Sequence, residues 1–291
     1  MTIDPATIEA IDAHVHLETD GHGHYSLDRE LMDASAAHFR ASHARTPTVD
    51  EIAAYYRERR IAAVVFTVDA RTATGHPPLD GHELLAQVAR HPDVLVPFAS
   101  VDPNEGAGAV DRLRDLAAAG ARGLKLHPSL QGFAPNVATA YPLYEAAGEL
   151  GLPVLFHSGQ TGIGAGLPGG RGIRLRYSDP MLVDDVAADL PSLTIILAHP
   201  AVPWQDEAIA VATHKANVFV DLSGWAPRYF PEQLVRAVNG PLRRKALFGS
   251  DFPLITPDRW LTEFGQLDIK PEVRPLVLRD NALRVLGLGH D

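Results

Sequence analysis

Short runs of apolar and β-branched residues alternate with longer amphipathic stretches along almost the whole chain. Eight runs have the length and composition of strands in a buried parallel sheet. They are AIDAHVH (10–16), AAVVFTV (62–68), LVPFASV (95–101), GLKLH (123–127), PVLFH (153–157), TIILAH (194–199), VFVDL (218–222) and ALFGSD (246–251). The alternation predicts βα units and is not the pattern of hairpins or helical bundles.

The amphipathic stretches between these runs predict helices. They cover residues 50–60, 81–90, 110–119, 140–150, 181–188, 204–214 and 231–238, and a final stretch covers 271–286. Eight strands that alternate with these helices fill a closed barrel, and 291 residues is a routine length for one such domain. We therefore predict an α/β protein, a single (β/α)8 TIM-barrel domain over residues 1–291.

A Rossmann-type sheet is the main rival fold. It requires a glycine-rich turn after the first strand, whereas the first run here ends in HVHLE. No motif recurs at a fixed spacing, which argues against a solenoid. The barrel is therefore the preferred prediction.

Two connections are longer than a barrel needs. Residues 17–49 follow the first run and carry His22, His24, His38 and His43, and residues 158–177 follow the fifth run and are rich in glycine. Loops after the strands lie at the face where barrel enzymes carry out their chemistry. Each loop is a candidate lid or substrate-binding segment, and each is equally well explained as a flexible surface loop.

Composition narrows the class of function. The chain has 14 histidines and no cysteine, so it has no disulfide, thiolate ligand or cysteine nucleophile. A formal net charge of −10 argues against general nucleic-acid binding. The first residues lack a basic segment followed by an apolar one, and no run approaches roughly 20 apolar residues. We expect a soluble, cytoplasmic protein without nucleic-acid or membrane partners.

Histidines occur where the predicted strands end. Side chains alternate between the faces of a strand, so Asp12, His14 and His16 project to the same side. Three further runs end in histidine and the last ends in aspartate: His127, His157, His199 and Asp251. The carboxyl ends of barrel strands surround one mouth, so these side chains can meet although they are far apart in the sequence.

Imidazole nitrogens and a carboxylate form the kind of site that holds a divalent cation. Nitrogen and oxygen ligands suit Zn²⁺, Mn²⁺ or Fe²⁺, and we expect one ion, with Zn²⁺ first among the three. The alternative is that each histidine is separately hydrogen-bonded in the core. That alternative requires five strand ends to coincide by chance.

The strand-end motifs resemble those of a known family. DAHVH, GLKLHP, FHSG, LAHP and FGSDFP, at predicted strands 1, 4, 5, 6 and 8, resemble the amidohydrolase-2 branch of the amidohydrolase superfamily, which contains decarboxylases and hydrolases. The resemblance runs from Ile11 to Leu286. It implies a metal-dependent enzyme on a barrel fold.

The resemblance also implies roles for individual residues. The positions that match ligands of the divalent ion are His14, His16, His157 and Asp251. His199 matches a general acid or base, or a group that polarises a carbonyl. Asp12 matches a position from which a ligand imidazole is oriented. If Asp251 both touches the metal and accepts the proton of a water molecule, it is the catalytic base.

Lys125 and His127 share one face of predicted strand 4, so both can reach the mouth. In some branches of the superfamily a lysine on this strand is carboxylated and bridges two metals. The alternatives here are that Lys125 neutralises an anionic substrate or forms an ion pair at the barrel rim. His127 is expected beside the ligands rather than among them.

The expected reaction is hydrolysis of a carbonyl compound. A zinc-type ion lowers the pKa of bound water to roughly 7 and polarises a carbonyl oxygen. A serine hydrolase is disfavoured because no GxSxG motif occurs, and FGSDFP lacks its second glycine. Ser250 is therefore interpreted as a backbone-positioning or ligand-positioning residue.

Arginines and aromatic residues near the predicted mouth favour an anionic, partly aromatic substrate. The candidates for substrate binding are Arg171, Arg174, Arg176, Arg228, Phe133, Trp204, Trp225 and Phe252. Exposed arginines are also typical of solvated surface, and aromatic residues of core.

A finer resemblance concerns the substrate. The stretches HPSLQGFAPN, SGQTGIGAG and HPAVPWQDEA are similar to amidohydrolase-2 proteins described as 4-hydroxyphenyl-β-ketoacyl-CoA hydrolases. This similarity implies hydrolytic cleavage of a C–C bond to an aromatic acid and acetyl-CoA. The CoA thioester is then expected against the loop after strand 5.

Other functions stay open at this point. Within the same branch they are a nonoxidative decarboxylase of an aromatic or muconate-type acid and a lactonase acting on a dicarboxylate or sulfonated muconolactone. A catalytically silent metal-binding protein is the alternative outside enzymes. Exposed apolar helix faces would permit a homodimer, which one sequence does not establish.

Overall fold

The predicted barrel is the observed architecture. The computed structural model describes residues 3–40 and 46–288, so His43 of the first long loop lies outside the described residues. Eight strands occur in the described part of the chain: β1 (Ala10–His16), β2 (Ile61–Phe66), β3 (Leu95–Pro97), β4 (Leu124–Leu126), β5 (Val154–His157), β6 (Ile195–Ala198), β7 (Val218–Asp221) and β8 (Ala246–Leu247). Each predicted run overlaps one of them, and the α/β barrel prediction is confirmed.

Helices separate the strands. Their bounds are α1 (Arg29–His38), α2 (Val49–Glu58), α3 (Arg71–Thr74), α4 (Gly81–Val88), α5 (Ala107–Ala118), α6 (Pro128–Gln131), α7 (Tyr141–Glu149), α8 (Met181–Asp189), α9 (Gln205–His214), α10 (Glu232–Val238), α11 (Pro257–Gly265) and α12 (Asn281–Val285). The sequence did not predict α1, α11 or the four-residue helices α3 and α6. In α11 the buried aromatic stripe consists of Trp260 and Phe264 alone, one helical turn apart, which is too short a pattern to stand out.

The sheet closes at two seams. The strands β1 to β3 and β4 to β8 pair in parallel and in chain order. Between β3 and β4, the N–H of Ala99 donates to the carbonyl of Gly123 at 2.8 Å. Between the segment after β8 and β1, the N–H of Asp251 donates to the carbonyl of His14 at 3.0 Å. The strands therefore form a closed barrel whose carboxyl ends surround one mouth.

Burial on both faces explains why the strands are continuous apolar runs. Every residue of β2, β5 and β6 is buried, as expected when side chains fill the barrel on one face and contact helices on the other. The helices bury one stripe only. Within residues 3–40 and 46–288, no helix is both long enough and apolar enough to cross a membrane.

The two long loops pack on each other over the barrel mouth. Leu27 and Leu31 of the first loop form an apolar cluster with Leu130, and Ile163 of the second loop packs against it. A Cβ on Gly162 would lie 2.6 Å from a ring carbon of Phe39, so the absence of a side chain allows the close approach. We call the two segments, residues 17–40 and 158–177, the loop cover.

The substitution Gly123→Ala tests the seam between β3 and β4. A Cβ at residue 123 would lie 2.3–2.5 Å from carbons of the Phe98 ring, so we expect the free energy of unfolding to fall by about 2 kcal/mol. Urea denaturation measures the change. In a Phe98→Leu background the cost of the alanine should shrink, and an undiminished cost there would contradict this explanation.

Candidate metal centre

The end of β1 and the turn after β8 bring three ligand atoms into a triangle. Nε2 of His14 lies 3.2 Å from Nε2 of His16 and 3.4 Å from Oδ1 of Asp251. Nε2 of His16 lies 3.2 Å from the same Oδ1. Three residues that the sequence analysis proposed as ligands therefore converge on one point.

These spacings fit one divalent cation. Tetrahedral nitrogen and oxygen ligands at about 2.0–2.1 Å from a metal lie about 3.3–3.4 Å from one another. The edges of the triangle, 3.2 to 3.4 Å, agree with that separation. Two imidazoles and a carboxylate are also a donor set suited to Zn²⁺, Mn²⁺ or Fe²⁺.

Two further histidines adjoin the triangle. A ring nitrogen of His199 lies within 4.8 Å of ligand atoms of His14 and Asp251. Its Nε2 lies 3.0 Å from Nδ1 of His157. Among the described residues, Nε2 of His157 has no hydrogen-bond partner although it is buried. A buried polar atom without a partner is rare, and a bound ligand or ion would satisfy it.

The protonation states of three proposed ligands, His14, His157 and Asp251, suit metal binding. Burial lowers the pKa of His14 and of His157 well below the ordinary value, so both imidazoles are neutral at pH 7. Burial raises the pKa of Asp251, but the imidazoles of His16 and His14 outweigh burial and hold that pKa below its ordinary value. Neutral imidazoles beside an ionised carboxylate are the state that a divalent ion requires.

Glu18 completes the surroundings of His16, and the sequence analysis did not single it out. Its Oε1 lies 3.2 Å from Nδ1 of His16, and Ser26 donates a hydrogen bond to its Oε2. Burial lowers the pKa of His16, but Asp251 and Glu18 outweigh burial and raise it to about 9. The site therefore favours positive charge at this point. Glu18 lies two residues after His16 in the sequence, and this spacing is the signal from which its role could have been predicted.

The end of β7 positions two of the imidazoles, and the sequence analysis missed it. Oδ2 of Asp221 lies 2.7 Å from Nδ1 of His14, and Oγ of Ser223 lies 2.8 Å from Nδ1 of His199. A Cβ on Gly224 would lie 2.4 Å from that same nitrogen of His199, so only glycine leaves room for the ring. The sequence did contain a signal for Asp221, because the run VFVDL carries this acidic residue near its end, just as the eighth run ends in Asp251.

Asp12 holds backbone and hydroxyl groups instead of a ligand imidazole. It accepts hydrogen bonds from the backbone N–H groups of His14 (3.1 Å) and Ser250 (2.9 Å) and from the hydroxyl of Tyr56 (2.7 Å). The expected role of orienting an imidazole falls to Asp221, because Nδ1 of His14 faces β7. Burial outweighs these hydrogen bonds and raises the pKa of Asp12 to about 7.

Both candidates on and after β4 reach the site. Nζ of Lys125 lies 3.3 Å from Nε2 of His14, and burial lowers the lysine pKa to about 8. The ring of His127 stacks on that of His157 with centroids 3.8 Å apart. Lys125 therefore lies directly beside the triangle, and His127 supports His157.

The backbone turns sharply after β6 and β8. His199 has a φ of 70° and Asp251 a φ of 72°, a left-handed conformation that costs a residue with a Cβ about 1 kcal/mol or more. Such strain persists where the surroundings enforce it, and it is frequent at active sites. Here the hydrogen bond from Asp251 to the carbonyl of His14 enforces the second turn.

A cavity of about 470 Å³ opens beside the cluster. The polar part of its lining includes His16, Glu18, His127, His157, His199 and Asp251. The apolar part includes Leu27, Met32, Phe39, Ile163, Trp225, Leu254 and Ile255. This volume and this mixture of apolar wall and few polar groups are typical of small-molecule sites.

The aromatic residues expected to bind substrate divide into two groups. Trp225 lines the cavity. Phe133 instead belongs to the main hydrophobic core, Trp204 precedes α9, and Phe252 stacks on Tyr55. The latter three lie outside the lining, and the side chains of Phe133 and Phe252 pack against neighbouring elements.

The arginines of the second long loop also lie away from the cavity. Nη atoms of Arg171 pair with Asp28 at 3.0 Å and Glu30 at 2.7 Å, in the first long loop. Arg174 and Arg176 are exposed. The lining drawn from the described residues contains none of the three, whereas it does contain Arg228.

Comparisons with solved structures agree with the barrel. An uncharacterized TIM-barrel protein from Bordetella bronchiseptica is 22% identical, with a TM-score of 0.79 over 96% of this chain and 99% of that chain. A probable 2-pyrone-4,6-dicarboxylic acid hydrolase from Acinetobacter baumannii, with citric acid bound, is 16% identical, with a TM-score of 0.61 over 96% and 100%. A dihydroxybenzoic acid decarboxylase from a Polaromonas species, with manganese and the inhibitor 2-nitroresorcinol, is 17% identical, with a TM-score of 0.68 over 98% of both chains.

The family comparison covers nearly the whole chain. No curated protein sequence matches significantly. The model of the amidohydrolase-2 family, described as amidohydrolase, matches residues 11–288, which include every residue of the proposed centre. The protein therefore belongs to the amidohydrolase-2 family and is an enzyme of the amidohydrolase superfamily.

Proposed function

We propose that the protein is a metal-dependent hydrolase that cleaves a bond next to the carbonyl group of a small anionic, aromatic-derived substrate. The triangle of His14, His16 and Asp251 carries this proposal, because its atoms have the spacing of cation ligands and two of its residues line the cavity. A zinc-type ion, when bound, lowers the pKa of water to roughly 7 and polarises a carbonyl oxygen.

We assign one ion to this centre, with Zn²⁺ preferred and Mn²⁺ or Fe²⁺ as alternatives. His14, His16 and Asp251 are the ligands with the most direct geometric support. His157 is the proposed fourth ligand because its buried Nε2 lacks a partner among the described residues. Asp221 and Glu18 hold the far nitrogens of the two β1 imidazoles, which keeps their Nε2 atoms directed at the same point.

His199 is the residue that we assign to proton transfer. Burial lowers its pKa, so at pH 7 it is neutral and can accept a proton. It lines the cavity, and the hydroxyl of Ser223 fixes its Nδ1. Asp251 is the alternative base, but Oδ1 of its carboxylate already contacts both β1 imidazoles.

Two roles are consistent with the position of Lys125. As an ammonium ion it would place a positive charge beside His14 and stabilise negative charge that develops on the substrate. As a carbamate it would add a carboxylate to the ligand set. The lowered pKa, about 8, increases the neutral amine fraction from which a carbamate forms.

Purified protein is expected to contain about one divalent transition-metal ion per chain. The variant His16→Ala is expected to lose this ion, because it lacks one of the three ligand atoms of the triangle. Elemental analysis after removal of loosely bound ions measures the content. His22→Ala is the matched control, since that histidine is 68% exposed and pairs with Glu83. Folded wild-type protein without metal, never exposed to chelator, would overturn the metal mechanism and leave a metal-independent His/Asp lactonase.

Decarboxylation is the second candidate function. The Polaromonas protein and a 5-carboxyvanillate decarboxylase from Novosphingobium aromaticivorans share the barrel and act on aromatic acids, as their names state. Lactone opening is a third candidate, favoured by the similarity to the pyrone dicarboxylic acid hydrolase. A metal-binding protein without catalytic activity is the remaining alternative. The products distinguish these functions.

In ¹⁸O-labelled water, turnover is expected to place one ¹⁸O atom in the product and to release no CO₂. The substrate panel comprises aromatic β-keto thioesters, lactones and aromatic acids, analysed by mass spectrometry. His199→Asn should lower kcat by about 10²- to 10⁴-fold with its metal retained, because the proton acceptor is lost. Release of CO₂ without incorporation of ¹⁸O into the organic product would establish the decarboxylase instead.

A 4-hydroxyphenyl-β-ketoacyl-CoA is the specific substrate that we infer from the sequence resemblance. If the second long loop binds its CoA moiety, replacing Arg171, Arg174 and Arg176 together by alanine should raise KM about tenfold or more, because phosphate contacts are lost. Steady-state kinetics with the thioester measures this, and Arg236→Ala, on the surface of α10, is the control. An unchanged KM in the triple variant would exclude the loop as the CoA site.

A further inference from the structure

Three arginines line the cavity, Arg40, Arg228 and Arg259, and the last two form a pair whose charge the metal centre does not explain. Arg228 follows β7, Arg259 lies in α11, and both line the cavity. Their side chains are 54% and 41% exposed, so they lie at its rim and are open to solvent. The sequence analysis named Arg228 among eight candidates and did not name Arg259.

A single carboxylate serves both guanidinium groups. Oε1 of Glu263 lies 3.0 Å from Nε of Arg259 and 3.6 Å from Nη1 of Arg228. In the part of the chain that the structure describes, no other carboxylate lies within 4.0 Å of either group. Two cations and one anion leave a net positive charge, and each guanidinium has five N–H donors, of which most are unused.

The cavity that contains the two arginines also has an apolar part. Trp225, Leu254 and Ile255 belong to the same lining as the two arginines, and the loop cover adds Phe39 and Ile163. An anion in this cavity is therefore exposed to the two arginines, to residues of the metal centre and to apolar surface. A molecule that satisfies all three parts has a charged end, an apolar body and a reactive end.

We propose that the substrate is an amphipathic carboxylic acid, an alternative to the CoA thioester above, whose carboxylate binds Arg228 and Arg259 while its apolar body packs against the cavity wall. The position of the reactive end rests on the proposed function above, whereas the binding of an anion by the two arginines does not. The planar fork of a guanidinium matches a carboxylate, and one net positive charge at the rim matches one carboxylate. A phosphate monoester offers similar oxygen atoms with nearly two charges.

The test compares two probes that differ by one carboxylate. Benzoate and terephthalate share a ring and one carboxylate, so the ratio of their dissociation constants reports the second carboxylate. We expect metal-loaded wild-type protein to bind terephthalate at least ten times more tightly than benzoate. In the double variant Arg228→Gln/Arg259→Gln, the ratio of the two dissociation constants should fall to nearly one. Isothermal titration calorimetry measures both constants.

Glu263→Gln distinguishes anion binding from a structural role of the arginines. It removes the competing carboxylate, so the preference for terephthalate should increase, whereas a merely structural ion pair would leave the preference unchanged or reduce it. Arg236→Gln is the matched control, because Arg236 is an exposed arginine paired with one glutamate, Glu232, outside the cavity. Thermal unfolding of each variant verifies that it is folded.

The outcomes separate this proposal from the proposed function. An unchanged probe ratio in the folded double variant, with metal content retained, would overturn the assignment of the arginines and leave the hydrolase standing. Wild-type protein that lacks metal but shows the expected ratios would overturn the hydrolase and leave the anion site standing. A third probe, 4-carboxyphenyl phosphate, would overturn the choice of a carboxylic acid if it bound more than ten times more tightly than terephthalate.

Discussion

The closure of β8 onto β1 is the constraint on which the centre depends. β8 is only two residues long, so few ladder hydrogen bonds hold it in place. The buried carboxylate of Asp12 reinforces the backbone hydrogen bonds between β1 and the segment after β8, because it binds the backbone of His14 on one side and Ser250 on the other. Asp251 follows directly, and it faces His14 across the same seam. The triangle of ligand atoms therefore forms only when the barrel has closed.

The sequence was sufficient to predict the barrel and the residues at its mouth, because both depend on local patterns. A parallel strand buried on both faces is a continuous apolar run, and the residue that ends it must lie at the mouth. Partners across strands depend on register, which one sequence does not display. Asp221 was missed for that reason, and the role of orienting an imidazole, which we assign to Asp221, was given to Asp12. Glu18 lies two residues from its partner His16, so register does not explain why it was missed.

The loops were the least predictable part. Which arginine reaches a cavity depends on how a long loop folds back, and that is decided by contacts distant in sequence. Arg171 is drawn to Asp28 and Glu30, while Arg259 comes from a helix whose pattern was too short to recognise. Length and glycine content identified the loop cover as a feature of the mouth, but not which of its side chains face the cavity.

The loop cover and the barrel divide the cavity between them. All the proposed metal ligands belong to strands or to the turns that end them, whereas Leu27, Phe39 and Ile163 belong to the cover. The cover holds the ligand triangle through Glu18, which contacts His16, and its other lining side chains face the substrate chamber. Part of the wall that meets the substrate is thus encoded in stretches of the chain that supply no metal ligand. New specificities can arise by insertion, deletion or exchange in the cover outside Glu18 and Ser26 while the metal ligands are inherited intact.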